Sequence, residues 1–210
     1  MNPFLYPKSQ HRRTQQPRSY SYYPSYKPFL RAEFGPQCVY CRLPDGPNKG
    51  QDAFGVDHYR PRSLFPTLEN VYSNLFYACN CCNRRKREFW PTPAEMRAGQ
   101  FIPNPCDHVM FDHLRYQSVR VVTRSPAGER AEKILMFNDD ESVQYREFVL
   151  GLIQLAEQQR NRLRATIKEI EQQSELFPDR IQALSPEKTS AENELIKIEQ
   201  HLLRLGGGPS

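Results

Sequence analysis

Phe54-Gly55-Val56-Asp57-His58-Tyr59-Arg60-Pro61-Arg62-Ser63 is followed by Tyr72-Ser73-Asn74-Leu75-Phe76-Tyr77-Ala78-Cys79 and then by Cys82-Asn83-Arg84-Arg85-Lys86. The pattern predicts a strand through Gly55–Tyr59 and a second through Leu75–Ala78, flanking a long loop. A basic helix beginning near Cys79–Asn83 follows. That order, strand, loop, strand and helix, sets Asp57, His58 and the start of the helix side by side. Adjacent residues of a regular strand point to opposite faces, so a distortion at Asp57–His58 is expected that redirects one or both side chains.

Working outward, two C-x-x-C pairs enclose this stretch, Cys38/Cys41 and Cys79/Cys82. Each pair puts two thiolates on one tight turn, and together they supply the four ligands of a closed, structural Zn²⁺ site. The 37 residues between Cys41 and Cys79 exceed the usual zinc-ribbon spacing, so something folds between the halves. Two pairs disfavour a thioredoxin-like redox reading. Cys81 competes with Cys82 for ligation, and the shared spacing favours Cys82. Cys106, near His108 and His113, is read as a packed or surface residue more readily than as part of a second metal site.

The enclosed residues have the chemistry that phosphodiester hydrolysis needs. A water must be deprotonated for in-line attack, and charge on the phosphate and leaving oxygen must be neutralised. His58 suits the base, because imidazole titrates near neutrality. Asp57 and Asn83 offer the hard oxygens that Mg²⁺ or Mn²⁺ prefers. Asn74 suits a clamp that donates and accepts across the loop. Arg60, Arg62, Arg84, Arg85, Lys86 and Arg87 are candidates to grip phosphates without reading sequence. Taken singly, each has a plain alternative: a polar pair, a turn or helix cap, a solvated basic face.

The rest of the chain bounds the class. Among 210 residues, 38% are hydrophobic, 25% are charged and 18 are proline, which disfavours one large continuous core. No run approaches the ~18 apolar residues of a membrane helix, and the first residues lack the apolar stretch of a secretory leader. A cytoplasmic protein without membrane contact is expected. Residues 1–37 carry Lys8, Arg12, Arg13, Arg18, Lys27 and Arg31 against Glu33 alone, an excess equal to the chain's net charge of +5. Tyr6, Tyr20, Tyr22, Tyr23 and Tyr26 are interleaved with them, a mixture that suits a polyanion with stackable bases. A solvated arm with no partner is the other reading.

Four regions result: residues 1–21 as a basic, tyrosine-rich flexible arm; 22–116 as the zinc-stapled domain; 117–138 as a connecting segment; and 139–210 as a helical region. A long helix over Glu141–Gln173, with Asp139 or Asp140 as N-cap, is predicted from apolar residues recurring near every 3.6 positions. A second, over about Pro186–Leu205, ends at Gly206-Gly207-Gly208. The two stripes pack as a hairpin, or offer a surface to a partner.

These residues resemble the HNH endonuclease superfamily, in its zinc-knuckle branch. Cys38-Val39-Tyr40-Cys41, Asp57-His58-Tyr59-Arg60-Pro61-Arg62-Ser63, Asn74 and Cys79-Asn80-Cys81-Cys82-Asn83-Arg84-Arg85-Lys86 carry the likeness. The resemblance implies an α+β fold with a ββα-metal core and a four-cysteine zinc knuckle, followed by a C-terminal α-helical hairpin. It also implies His58 as general base, Asp57 and Asn83 as ligands of the catalytic cation, and Asn74 as the structural asparagine. Asn83 replaces the family's final histidine, as it does in the HNH domains of CRISPR effector nucleases. Tyr22–Gly35, Phe101–Asp107 and Ile134–Asn138 are similar to small HNH proteins of retron and Septu antiphage systems, which implies an ATPase partner. The alternatives are a stand-alone restriction or mobile-element nuclease, an inactive zinc module that binds nucleic acid, and an enzyme acting on RNA in place of DNA.

Overall fold

The run Leu75–Cys79 is apolar at every position and buried at every position, as a strand covered on both faces should be. In the computed structural model, which describes residues 1–47 and 49–206, it forms β2 and pairs antiparallel with β1, Phe54–His58. Helix α1 (Lys27–Glu33) precedes the pair, and α2 (Asn80–Lys86) leaves β2 without a connecting residue. β1, β2 and α2 are the ββα unit, and the hairpin stands at the C-terminus. The expected fold class is present.

The core gathers around this unit. Tyr26, Leu30 and Phe34 from the N-terminal side, Val39 and Tyr40 from the cysteine turn, and Phe76 and Ala78 of β2 are all buried in one cluster. Leu114, Ala131, Leu135 and Phe137 close it from the C-terminal side. Short helices α3 (Pro93–Arg97) and α4 (Met110–His113) intervene. Thr92 and Glu95 bond reciprocally to each other's backbone N–H at the start of α3, which fixes that helix despite its single turn.

Residues 117–138 are more than a connection. Leu114–Gln117 (β3) and Arg120–Thr123 (β4) pair across a tight turn, with Ser118 at φ 55°, and α5 follows over Pro126–Leu135. Ser125 caps α5 by accepting from the Gly128 N–H. A Cβ on Gly128 would lie 2.1 Å from the His113 carbonyl oxygen, so only glycine lets α5 approach this closely. The period-2 signal here spans four residues per strand, too few to stand out in the sequence.

The helical hairpin consists of α6 (Asp140–Leu176) and α7 (Ile181–Gly206). Asp139 caps α6, its carboxylate accepting from the Ser142 N–H. The second helix begins at Ile181, five residues before the expected start, and Pro186 lies inside it. Of the expected terminating glycines, Gly207 and Gly208 lie outside the described residues.

Residues 1–21 are folded back along the body, a correction to the flexible arm expected from their composition. Phe4 is fully buried among Val149, Ile153 and Leu202 of the hairpin, and Tyr6 donates its hydroxyl to the Tyr40 carbonyl at 2.9 Å. The Arg13 guanidinium lies over the rings of Phe34, Tyr72 and Phe76 and donates to the Leu75 carbonyl at 2.8 Å. Glu33 accepts from the Thr14 and Gln15 N–H groups at 2.7 and 2.9 Å. Composition reports solubility, whereas these anchors are long-range pairings that no local pattern encodes.

Candidate nuclease site

The knuckle is built by two different local devices. Cys38 and Cys41 sit on a turn closed by the Cys38 N–H to the Leu43 carbonyl and the Arg42 N–H to the Cys38 carbonyl, with Arg42 at φ 55°. Cys79 ends β2 and caps α2, accepting the Cys82 N–H on its sulfur. The Val39 N–H donates to the Tyr77 carbonyl at 3.0 Å, which seats the turn on the edge of β2 that faces away from β1.

All four sulfurs lie within 4.8 Å of one another, and all six cysteines of the chain are free thiols. A Zn–S bond of about 2.3 Å sets tetrahedral sulfur separations near ~3.8 Å, and Cys41 Sγ lies 3.7 Å from Cys79 Sγ. Burial would raise the Cys38 thiol, but hydrogen bonds from Cys41, Cys79 and Cys82 hold it well below its ordinary value. The same contacts with Cys38 and Cys41 push Cys79 and Cys82 well above theirs. Four thiols can all become thiolates here only around a cation, and the soft tetrahedral set fits Zn²⁺. Among the described residues this is the only such cluster of His, Cys, Asp and Glu, so Cys106, His108 and His113 form no second one.

The Tyr59 N–H donates to the Asn74 carbonyl, which fixes the phase of the β1–β2 ladder. Tyr59, Asp57 and Gly55 therefore face β2 with their backbone groups, and the carbonyls of Val56 and His58 point off the outer edge. Helix α2 covers that edge. Asn83 donates Nδ2 to the Val56 carbonyl at 3.4 Å, and Lys86 donates Nζ to the His58 carbonyl at 2.6 Å. Asn83 and Lys86 are one helical turn apart, which is why both reach one strand. Gly55 eases this fit, since a Cβ there would crowd the Asn83 amide at 3.3 Å.

Asp57 projects toward α2 and is buried. Its Oδ2 accepts from the Tyr40 hydroxyl at 2.6 Å and its Oδ1 from Lys86 Nζ at 3.2 Å. His58 leaves the opposite face. Its Nε2 donates to the Glu69 carbonyl at 2.9 Å, and its ring meets the Tyr23 ring edge-on at 4.6 Å. Pairing runs unbroken through His58 and Leu75, so the expected distortion at Asp57–His58 is absent and the two side chains diverge as in a regular strand. Burial lowers the His58 pKa below its ordinary value, with Arg62 adding to that and the Glu69 bond and Asp57 opposing it. The imidazole is therefore neutral at pH 7. With Nε2 donating, Nδ1 carries the lone pair.

Asn74 bridges the loop in both directions. Its Oδ1 accepts the Arg60 N–H at 2.9 Å, and its Nδ2 donates to the carbonyls of Arg60 and Leu68 at 3.0 and 3.3 Å. The six candidate phosphate-gripping cations divide. Arg60, Arg62, Arg84 and Arg87 are exposed, Arg60 resting against Phe65 and Trp90. Lys86 is instead sealed in, its side chain 1% exposed, as the partner of Asp57. Arg85 donates to the Leu135 and Met136 carbonyls and pairs with Asp139 at 2.8 Å, tying α2 to the end of α5. Sequence reading missed Tyr40 and Tyr23, which flank Asp57 and His58 across 17 and 35 residues of chain and share no spacing with them.

Residues 38–89, about a quarter of the chain, match the model of the family described as HNH endonuclease. The match begins at the first knuckle cysteine and ends just beyond α2, so it spans the whole ββα unit and its four cysteines. No curated protein and no solved structure shows a significant match to the chain. Among the described residues, no helix is long and apolar enough to cross a membrane.

Proposed function

We propose that the chain is a divalent-metal-dependent HNH endonuclease that hydrolyses phosphodiester bonds of DNA, leaving 5′-phosphate and 3′-hydroxyl ends. The observation that carries this reading is the His58 imidazole, neutral and half-buried, its Nε2 held by the Glu69 carbonyl and Nδ1 left as the proton acceptor. His58 takes a proton from water through Nδ1, the water oxygen bonds to phosphorus, and the bond to the 3′ oxygen breaks. That oxygen is reprotonated from solvent. Asn74 holds the loop that follows His58, and exposed Arg60, Arg62, Arg84 and Arg87 attract the strand.

Asp57 and the Oδ1 of Asn83 are hard oxygen donors on the α2 side of β1, and they fit a Mg²⁺ or Mn²⁺ that keeps most of its water. Each Asp57 oxygen accepts one hydrogen bond and retains a further lone pair. Such a cation would neutralise charge on the phosphate. Asn83 and Lys86 of α2 lie along the outer edge of β1, beside the carboxylate of Asp57. An effector role in antiphage defence with an ATPase partner accords with apolar residues left exposed on the hairpin, among them Phe148, Leu155, Ile196 and Leu203.

The competing reading is an inert zinc module that binds nucleic acid, and the Asp57–Lys86 ion pair favours it, since a buried ammonium already satisfies the carboxylate. Nicking of supercoiled plasmid with Mg²⁺ or Mn²⁺, with and without EDTA, separates the two. His58→Ala should lower the rate by about 10²–10⁴-fold. The wild-type rate should stay level down to the ordinary histidine value of 6.5 and fall only below it, because a lowered pKa keeps the base unprotonated further into acid. Undiminished nicking by the variant would remove His58 from the chemistry.

A further inference from the structure

Of the five tyrosines that precede Lys27, the fold uses all but Tyr22 for packing. Tyr6 and Tyr26 are buried, and Tyr20 stands edge-on to Tyr26 beneath the Arg18 guanidinium. Tyr23 lies against His58. Tyr22 alone is largely exposed, at 66%, with its ring centroid 6.1 Å from that of Tyr23. The exposed ring, the half-covered ring and the imidazole thus form one continuous row.

The row is held rigidly. Tyr22 precedes a 3-10 turn over Tyr23–Tyr26 that carries Pro24, and its carbonyl accepts the Ser25 N–H at 3.0 Å. Buried Tyr26 and Leu30 anchor the turn and the helix that continues it. Arg62, exposed and paired with Glu69 at 3.2 Å, places its guanidinium 5.8 Å from the Tyr23 ring centroid, so a cationic group flanks the aromatic row.

An aromatic face beside a cation is what binds a nucleobase whose own face is open. In a paired duplex both faces of every internal base are covered by neighbours. We propose that Tyr22 is a stacking platform for an unpaired base next to the phosphate whose attacking water His58 deprotonates, so that single-stranded or locally opened DNA is the preferred substrate. This rests on the nuclease reading above. Tyr22 touches the substrate in binding and takes no part in the proton transfer.

The test uses one DNA sequence presented as a single strand, a duplex, and a duplex with an internal mismatch bubble, cleaved by the full chain with Mn²⁺. The ratio of open to paired cleavage should exceed one by about tenfold, the effect of one stacked base. Tyr22→Ala should bring the ratio close to one, and Tyr22→Phe, which keeps the ring, should retain it. A wild-type ratio of one, or an unchanged ratio in Tyr22→Ala, overturns the proposal. If the wild type cleaves none of the three, the nuclease reading fails by itself. The platform is then decided in EDTA, by quenching of a 2-aminopurine single strand: loss of quenching in Tyr22→Ala supports it, and undiminished quenching overturns it.

Discussion

The four-cysteine half and the helical hairpin solve the problem of stability in opposite ways. In the first, β1 and β2 are five residues each and α2 is seven, lengths with little stability of their own. Cross-links between distant positions replace length: the four cysteines, Asp57 with Tyr40 and Lys86, Asp45 with Arg31 and Tyr77, and Glu33 with the arm. In the hairpin, α6 and α7 run for 37 and 26 residues, yet beyond Ile153 only Leu163, Ile170, Ala191 and Leu202 are buried. Local backbone bonds carry it, with cross-helix pairs such as Arg164–Glu199 and Lys188–Glu171. Buried polar pairs give a short fold one defined arrangement, which a site needs, and a solvated hairpin has no such requirement.

The contrast breaks most visibly when metal is withdrawn. Chelation, or Cys38→Ser, should unfold the stapled half, with a loss on the order of 10 kcal/mol. Near-ultraviolet circular dichroism should collapse while most of the 222 nm helical signal persists. An unchanged near-ultraviolet spectrum after complete zinc removal would disprove the staple. Next in size is the buried pair: Lys86→Met leaves the Asp57 carboxylate without its cation and should cost about 3–5 kcal/mol in denaturant melts. Adding Asp57→Asn should recover much of that. A loss below ~1 kcal/mol in the single variant would mean that the pair is not sealed from water.

The smallest of the three sharpens the boundary between the halves. Phe4 is the plug that joins them, seated in the hairpin while its neighbour ring Tyr116 stacks on Tyr6. Phe4→Ala should cost about 3 kcal/mol. Hydrogen exchange should quicken around Val149 and Leu202 and stay slow around the knuckle. Equal loosening of both would show that the two halves unfold as one.

The cysteine spacing and the Asp-His dipeptide at a strand end carried the candidate site's outline in the sequence, because each is bound to a local geometry: a turn and a strand. The 3.6-residue recurrence from Val143 onward likewise marked α6 to within three residues at either end. Tertiary structure decided the rest. Lys86 and Arg85 read as part of one basic run with Arg84 and Arg87, but α2 turns Lys86 onto Asp57 and Arg85 onto the end of α5, while their neighbours face solvent. A seven-residue helix has all four side chains on different headings, and only the element packed against it says which are covered.

The same holds for the first 21 residues. Their charge, proline and tyrosine content is that of a solvated arm, and nothing in that composition foretells that Phe4, Tyr6 and Arg13 find seats on helices and strands far along the chain. What the sequence determines by itself is chemistry at fixed spacing, since ligand pairs and periodicity are properties of a few consecutive turns. What it leaves to the assembled molecule is which of several chemically equal side chains becomes buried, because burial is a property of the neighbour and not of the residue.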